Sequence, residues 1–195
     1  MGPARSSLPT ISPVQGVILE EMRLYVVNEF GEAASSQVLE RSGRAADHQY
    51  DPDQAYPDQE LGLLAMRAAE VTGKPIPDVL EGFGEAMVPD MFKDYSILVN
   101  PRWSLVDFLL GMEPVLHAAL HLHTPGALPT KVHATRTGPD TVKIVYDSPL
   151  RACAAVRGVI RGAAVHYGVE IAITENYCVL RGDAACVFAV EGSKN

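Results

Sequence analysis

Along the first hundred positions apolar residues recur at the three-to-four spacing of a helix face, and glycine and proline close the intervals between runs. Val17, Ile18, Met22, Tyr25 and Val26 mark a helix over 16–30, which Gly31 ends. A second helix covers 33–42. Residues 43–57 are polar, carry Gly, Asp and Pro, and read as loop. Helical periodicity returns over 58–72 and stops at Gly73. Asp78 is placed to cap a helix reaching Met87, a short helix covers 89–95, Ser104 caps 105–112, and Pro114 opens a helix running to His123. The period then changes to two. Segments 131–137 and 141–147 alternate on either side of Gly138-Pro139-Asp140 and predict a hairpin. An amphipathic helix follows over 149–168, then strands at 170–175 and 187–190, with 178–180 a further pairing segment. Helices first, then a small antiparallel sheet carrying one long helix, is an α+β pattern. The expected organisation is a loose tail at 1–13 and a single domain over 14–192, divided into a helical lobe (14–100) and an α+β lobe (101–192).

Composition narrows the function classes. A chain of 195 residues with 47% apolar content can bury a sizeable core. Its net charge of -8 disfavours nucleic acid or an anionic membrane as partner. No apolar run approaches the roughly 18 residues of a membrane span, and the first residues lack the basic and apolar regions of a secretory signal. Three cysteines, an odd number, fit a reducing cytoplasm with thiolates free to bind metal. There is no nucleophile elbow, phosphate loop or triad, so an enzyme is not expected. A solvated surface accounts for Asp47, Asp51, Asp53 and Asp58.

All three cysteines lie in the last third of the chain. Cys153 falls one turn into the long helix, and Glu175, Cys178 and Cys186 follow as Glu-x2-Cys-x7-Cys. Three thiolates and a carboxylate make a closed tetrahedral Zn2+ set, with Gly182-Asp183 supplying a tight turn between the last two cysteines. Such a site would tie the long helix to the terminal hairpin. It would also respond to thiol oxidation, which releases zinc. His166 is another possible fourth ligand, and three buried apolar cysteines without metal are the alternative. His117 and His121, four apart, share a helix face. That spacing can bind zinc, although a solvated face also explains it.

Several fragments, in order, carry a family resemblance: Gly16-Val17-Ile18-Leu19, Phe30-Gly31, Tyr56-Pro57-Asp58, Thr72-Gly73 to Pro77, Phe83-Gly84, Ser104 to Leu110, Leu116-His117 with Pro125-Gly126, and Tyr146-x-Ser148. Together they resemble the H-NOX (heme-NO/oxygen-binding) family from about Gly16 to Val190. The resemblance implies a helical and a sheet lobe with heme b between them, and His117 as axial ligand. Counting without gaps from Phe108 puts Leu116 at that position instead. One residue rotates a helix position by about 100°, and an insertion in a turn at Glu113-Pro114 would bring His117 back into place. The family's Tyr-x-Ser-x-Arg motif binds the heme propionates. Tyr146 and Ser148 match it, but Leu150 stands at the arginine position with Arg151 beside it. Ile18, Met22, Ala155 and Val159 are implied to line the other heme face. Ala155 stands where oxygen-binding members carry tyrosine, which implies selectivity for NO, and also CO, over O2. Some members resemble this chain in a C-terminal zinc site, with histidine in place of Glu175.

The resemblance thus implies a stand-alone heme-based NO sensor signalling to a separate effector, such as a histidine kinase or a cyclic-dinucleotide enzyme. The missing arginine and the displaced histidine leave a second reading open. In that reading the chain is a heme-independent binding or redox-sensing module, with structural zinc and an apolar cavity for a small organic ligand.

Overall fold

The computed structural model describes residues 13–123, 131–148 and 150–192, without side chains at 120–123. Four helices build the first lobe: α1 (Gly16–Phe30), α2 (Glu32–Arg41), α3 (Gln59–Thr72) and the first half of α4 (Ile76–Asp94). Leu19, Met22, Leu39, Leu64, Val79 and Phe83 meet in its core, the stripes that the helical periodicity predicts. Two-residue strands β1 (Val14–Gln15) and β2 (Ala55–Tyr56) pair antiparallel and staple the entry of α1 to the end of the 43–57 loop. That loop, polar in sequence, is nonetheless anchored. The buried Tyr50 hydroxyl donates to Glu60 Oε1 at 2.9 Å, and its backbone N–H donates to Glu20 Oε2 at 2.9 Å.

The second lobe holds α5 (Leu105–His123), strands β3 (Lys131–Arg136) and β4 (Thr141–Asp147), helix α6 (Cys153–Tyr167), and strands β5 (Ile171–Tyr177) and β6 (Cys186–Gly192). The sheet is antiparallel in the order β3-β4-β6-β5. Phe108, Met112, Ile144, Ile160, Phe188 and Val190 form its core with the end of α4. The hairpin register pairs Val132 with Tyr146 and Ala134 with Ile144, so the predicted alternation sets the buried face. The α+β architecture agrees with the sequence reading. The described residues contain no helix long and apolar enough to cross a membrane.

Two expected helix breaks do not occur. Both α4 and α5 run through an internal proline, Pro89 and Pro114. An interior proline costs about 3 kcal/mol, whereas each large apolar side chain buried along the stripe contributes about 1.5–3 kcal/mol. In α4, Val79 and Phe83 precede Pro89, with Val88 and Met91 on either side of it, and all four are buried. Burial outweighs the lost hydrogen bond. Helix α4 also begins at Ile76 with Pro75 at the cap position, so Asp78 sits in the first turn rather than capping it. The Ser104 cap does form: Ser104 Oγ accepts the Asp107 N–H at 3.2 Å, while Asp107 Oδ2 accepts the Ser104 hydroxyl at 2.7 Å. Residues 150–152 lie before α6 rather than in it, residue 149 is outside the described residues, and Val179–Arg181 is a single 3-10 turn instead of a pairing segment.

The seam between the lobes is the contact of α4 with α6. Val79 and Phe83 on α4 belong to the helical core, and Val88 and Met91 to the sheet core. Glycines set the spacing. A Cβ on Gly158 would strike the Glu81 carbonyl, one on Gly84 the Ala155 carbonyl, and one on Gly162 would meet the Glu85 oxygen at 2.8 Å. Replacing Gly158 by valine is therefore expected to cost about 3 kcal/mol, read as a lower urea midpoint. Gly62→Ala on α3, where a Cβ meets nothing within 4 Å, is expected to raise stability by about 0.5–1 kcal/mol. Equal midpoints for the two variants would contradict this view of the seam.

Candidate metal centre and heme-facing residues

The start of α6 and the β5–β6 connection converge on three sulfurs. Cys153 is the first residue of α6, Cys186 the first of β6, and Cys178 follows β5 directly; all three are buried free thiols. The connection is tightened by Gly182, whose φ of 96° favours glycine, and by Asp183 Oδ2, which accepts the Cys178 N–H at 2.7 Å. Glu175 comes from β5, beside a register shift between Glu175 and Tyr177. One ligand atom each from Cys153, Glu175, Cys178 and Cys186 lies within 4.8 Å of the others. The Cys153–Cys178 and Cys178–Cys186 sulfur separations are 3.6 and 3.8 Å. A zinc tetrahedron with bonds of about 2.3 Å to sulfur has edges of about 3.8 Å. The spacing therefore suits a four-coordinate metal.

The polar atoms point the same way. Glu175 Oε1 is buried without a hydrogen-bond partner, while Oε2 lies 3.2 Å from Arg181 Nη1 and 3.9 Å from Arg157 Nη1. An unpartnered buried carboxylate oxygen is an acceptor whose lone pairs nothing among the described residues satisfies, and a metal ion beside the three sulfurs would take them up. Burial, followed by the neighbouring Cys178 and Cys186 sulfurs, pushes the Cys153 thiol up to about 12, and burial also raises Cys186. In the absence of a cation these groups stay protonated at neutral pH. A bound dication would supply the charge that deprotonates them. Of the alternatives, His166 lies elsewhere, stacked on Phe92 at 3.7 Å.

The residues implied for heme fall in both lobes. Met22 is fully buried in the helical core, against which Ile18 and Ala155 pack, and Val159, one turn further along α6, packs on the sheet core. Tyr146 faces Cys186 across the ladder. Burial raises its phenol, and the Ser148 hydroxyl and the Ala152 backbone N–H, bonded to its oxygen, pull it back. Both Tyr146 and Ser148 are buried. Leu150 is half-buried, while Arg151 is exposed and held at φ 50°.

The turn that would reposition His117 is absent, because α5 is unbroken through Pro114. Leu116 packs against the sheet core. His117 lies on the adjoining face, its Nε2 4.0 Å from Glu113 Oε1, with His133 Nδ1 3.7 Å from the other Glu113 oxygen. The Nε2 atom is nevertheless buried without a hydrogen-bond partner. His121 and His123, and the Pro125-Gly126 pair, lie outside the described side chains. Sequence reasoning missed Arg157, Glu81 and Arg181. Arg157 had a signal, since it stands four residues after Cys153 on the same helix.

Solved structures share this architecture. The chain is similar to an H-NOX protein from S. oneidensis in the Fe(II)NO state, with TM-score 0.83, 22% identity, and 93% of this chain and 100% of that chain covered. An NMR structure of an H-NOX domain from Shewanella oneidensis in the Fe(II)CO state gives 0.80 and 22%, over 93% and 100%. A mutant of the T. tengcongensis H-NOX gives 0.82 and 20%, over 93% and 98%. No curated protein matches the sequence. The family model described as Haem-NO-binding matches residues 15–175, and the chain belongs to that family, the H-NOX domains, whose members are heme-based gas sensors.

Heme is thus implied by family, and the donor set can be tested against it. His117 Nε2 makes no hydrogen bond and lies 4.0 Å from Glu113 Oε1, and Met22 and Ala155 are apolar residues of the helical core. Two buried hydroxyls remain for the carboxylates, with no guanidinium at Leu150. A heme bound here would rely on an imidazole and apolar contact more than on its propionates.

The raised thiols also fix a pH dependence. Cys153 holds its proton from its ordinary value of 9.0 up to about 12 in the folded chain, so between those values the unfolded state binds fewer protons and stability falls as pH rises. Chelator-treated protein is expected to show a lower urea midpoint at about pH 10 than at about pH 8. An alkaline midpoint that holds or rises would contradict buried, protonated thiols.

Proposed function

We propose that this chain is a heme-dependent sensor of NO that signals to a separate effector protein. The support for this reading is membership of the family over residues 15–175; beside it, His117 Nε2 on α5 makes no hydrogen bond, although it lies on the face adjoining Leu116 and 4.0 Å from Glu113 Oε1. When bound, heme would supply a ferrous iron that takes up NO or CO. His117 would be its protein ligand, with Tyr146 and Ser148 on the propionate side. Ile18, Met22, Ala155 and Val159 would form the opposite wall. An alanine at 155 offers no donor to a bound dioxygen, so NO and CO are the gases it favours. Motion between the lobes at the α4–α6 seam would carry the signal. A histidine kinase or a cyclic-dinucleotide enzyme is the kind of effector this implies, and the cytoplasm is the compartment that fits reduced cysteines.

A second function sits in the sheet lobe, favoured by the sulfur spacing and the free Glu175 oxygen. There Cys153, Glu175, Cys178 and Cys186 would hold Zn2+ that fastens α6 to the β5–β6 end of the sheet. Oxidation of the thiols would release it. If heme does not bind, this centre is the functional part of the molecule. In that case a small apolar ligand has a cleft of about 370 Å³ floored by Leu109, Val142 and Val190 beside Arg136.

Protein produced with a heme precursor, then reduced, is expected to show a strong Soret band that shifts with NO. His117→Ala is expected to abolish uptake. Leu150→Arg, which returns a guanidinium to the propionate side, is expected to slow heme loss to apomyoglobin by about tenfold. Absence of a Soret band in the wild type would end the heme reading and leave the metal centre. A Soret band unchanged in His117→Ala would move the ligand elsewhere.

A further inference from the structure

A side chain of α6 links the candidate metal centre to α4. Arg157 on α6 donates from Nε to Glu81 Oε2 at 2.7 Å, and its Nη1 lies 3.9 Å from Glu175 Oε2. Glu81 is on α4, and its second oxygen is gripped by Arg161 Nε at 2.6 Å. On the far side of Glu175, Arg181 completes the set at 3.2 Å and also donates from Nη2 to the Glu175 carbonyl at 3.2 Å. Side chains of Arg157, Glu81 and Glu175 are only 24%, 22% and 17% exposed, so water screens the Arg157 contacts weakly compared with surface pairs, whereas Arg161 and Arg181 are 47% and 52% exposed.

We infer that Arg157 is a positioning residue of the metal centre, a bridge that fixes the Glu175 carboxylate for the metal and ties it to α4 through Glu81. This rests on the reading that the four residues hold a metal. Two arguments carry it. The first is geometric. Arginine's fork can reach two carboxylates at once, and with both cations on Oε2 the Oε1 atom, buried without a partner, is left free for a ligand. Partners of this kind orient ligands, and their loss typically lowers metal affinity 10- to 100-fold. The second is electrical. Three thiolates and a carboxylate around a dication leave two negative charges in a buried place. Arg157, shared with Glu81, and Arg181 bring positive charge to the same carboxylate and offset that excess.

The bridge has a consequence for the fold. Glu81 lies where Gly158 lets α6 touch the α4 backbone. Metal binding and the lobe seam therefore share one ion-pair chain, and each must affect the other by the same factor.

The test measures Zn2+ affinity of the purified full chain by competition with a chromophoric chelator. Wild type is expected to bind one Zn2+ tightly. Arg157→Gln is expected to weaken it by about 10- to 100-fold. Arg157→Lys, which keeps the charge but not the fork, is expected to lose about threefold to tenfold and guards against misfolding of the first variant. Glu81→Gln touches no ligand and is expected to weaken zinc by at least about threefold, an effect that a purely local role for Arg157 would not produce. Wild type that binds zinc while Arg157→Gln and Glu81→Gln stay within about twofold would overturn the bridge alone. Wild type that binds no zinc would overturn the metal reading and the bridge together.

Discussion

The structure depends on how closely α4 and α6 approach. Neither lobe has a full core without the other's helix. Val79 and Phe83 of α4 complete the helical core, Val88 and Met91 complete the sheet core, and Ala155 of α6 reaches back across the boundary. Glycines at 84, 158 and 162 are what permit backbone to meet backbone there. Small residues bring two helices together at the cost of side-chain packing at the crossing, and the ion pairs of Glu81 with Arg157 and Arg161 lie directly over it. A seam of this kind holds the lobes by close contact in the middle and by charge at its edge.

The candidate metal centre occupies the other end of α6. Because Cys153 is the first residue of the helix, any change in the centre acts on the end of a rigid element whose next turns form the seam. Tyr146, paired across the ladder with Cys186 and bonded to Ser148 and Ala152, braces the strand that leads into that helix. The residues the family would use for heme carboxylates and those proposed for the metal are therefore neighbours. Were both groups to bind, heme and metal would share the Tyr146–Cys186 pair of the ladder.

Much of this was legible in the residues. Helical periodicity marked most of the helices, and alternation marked the hairpin and its buried face. The three cysteines and Glu175 form the cluster that their ligand chemistry and spacing anticipated. The misreadings have physical causes. Pro89 and Pro114 looked like boundaries because proline removes a hydrogen bond, but buried stripes running past them hold α4 and α5 together. Strands of two residues, such as Val14–Gln15, are too short to show a period. Glu81 was invisible as a partner of Arg157 because 76 positions separate them, and only the fold closes that distance. The orientation of His117 turned on a loop that the sequence allowed and the continuous helix does not contain.

A sensing role is tested most directly by amide hydrogen exchange on the reduced, heme-loaded chain with and without NO. If the lobes move about the seam, protection changes in α4 and in the first turns of α6, and stays constant in α2, which takes no part in the seam. Identical exchange in α4 and α6 with and without NO, in protein whose Soret band shows that NO is bound, would contradict signalling through that contact.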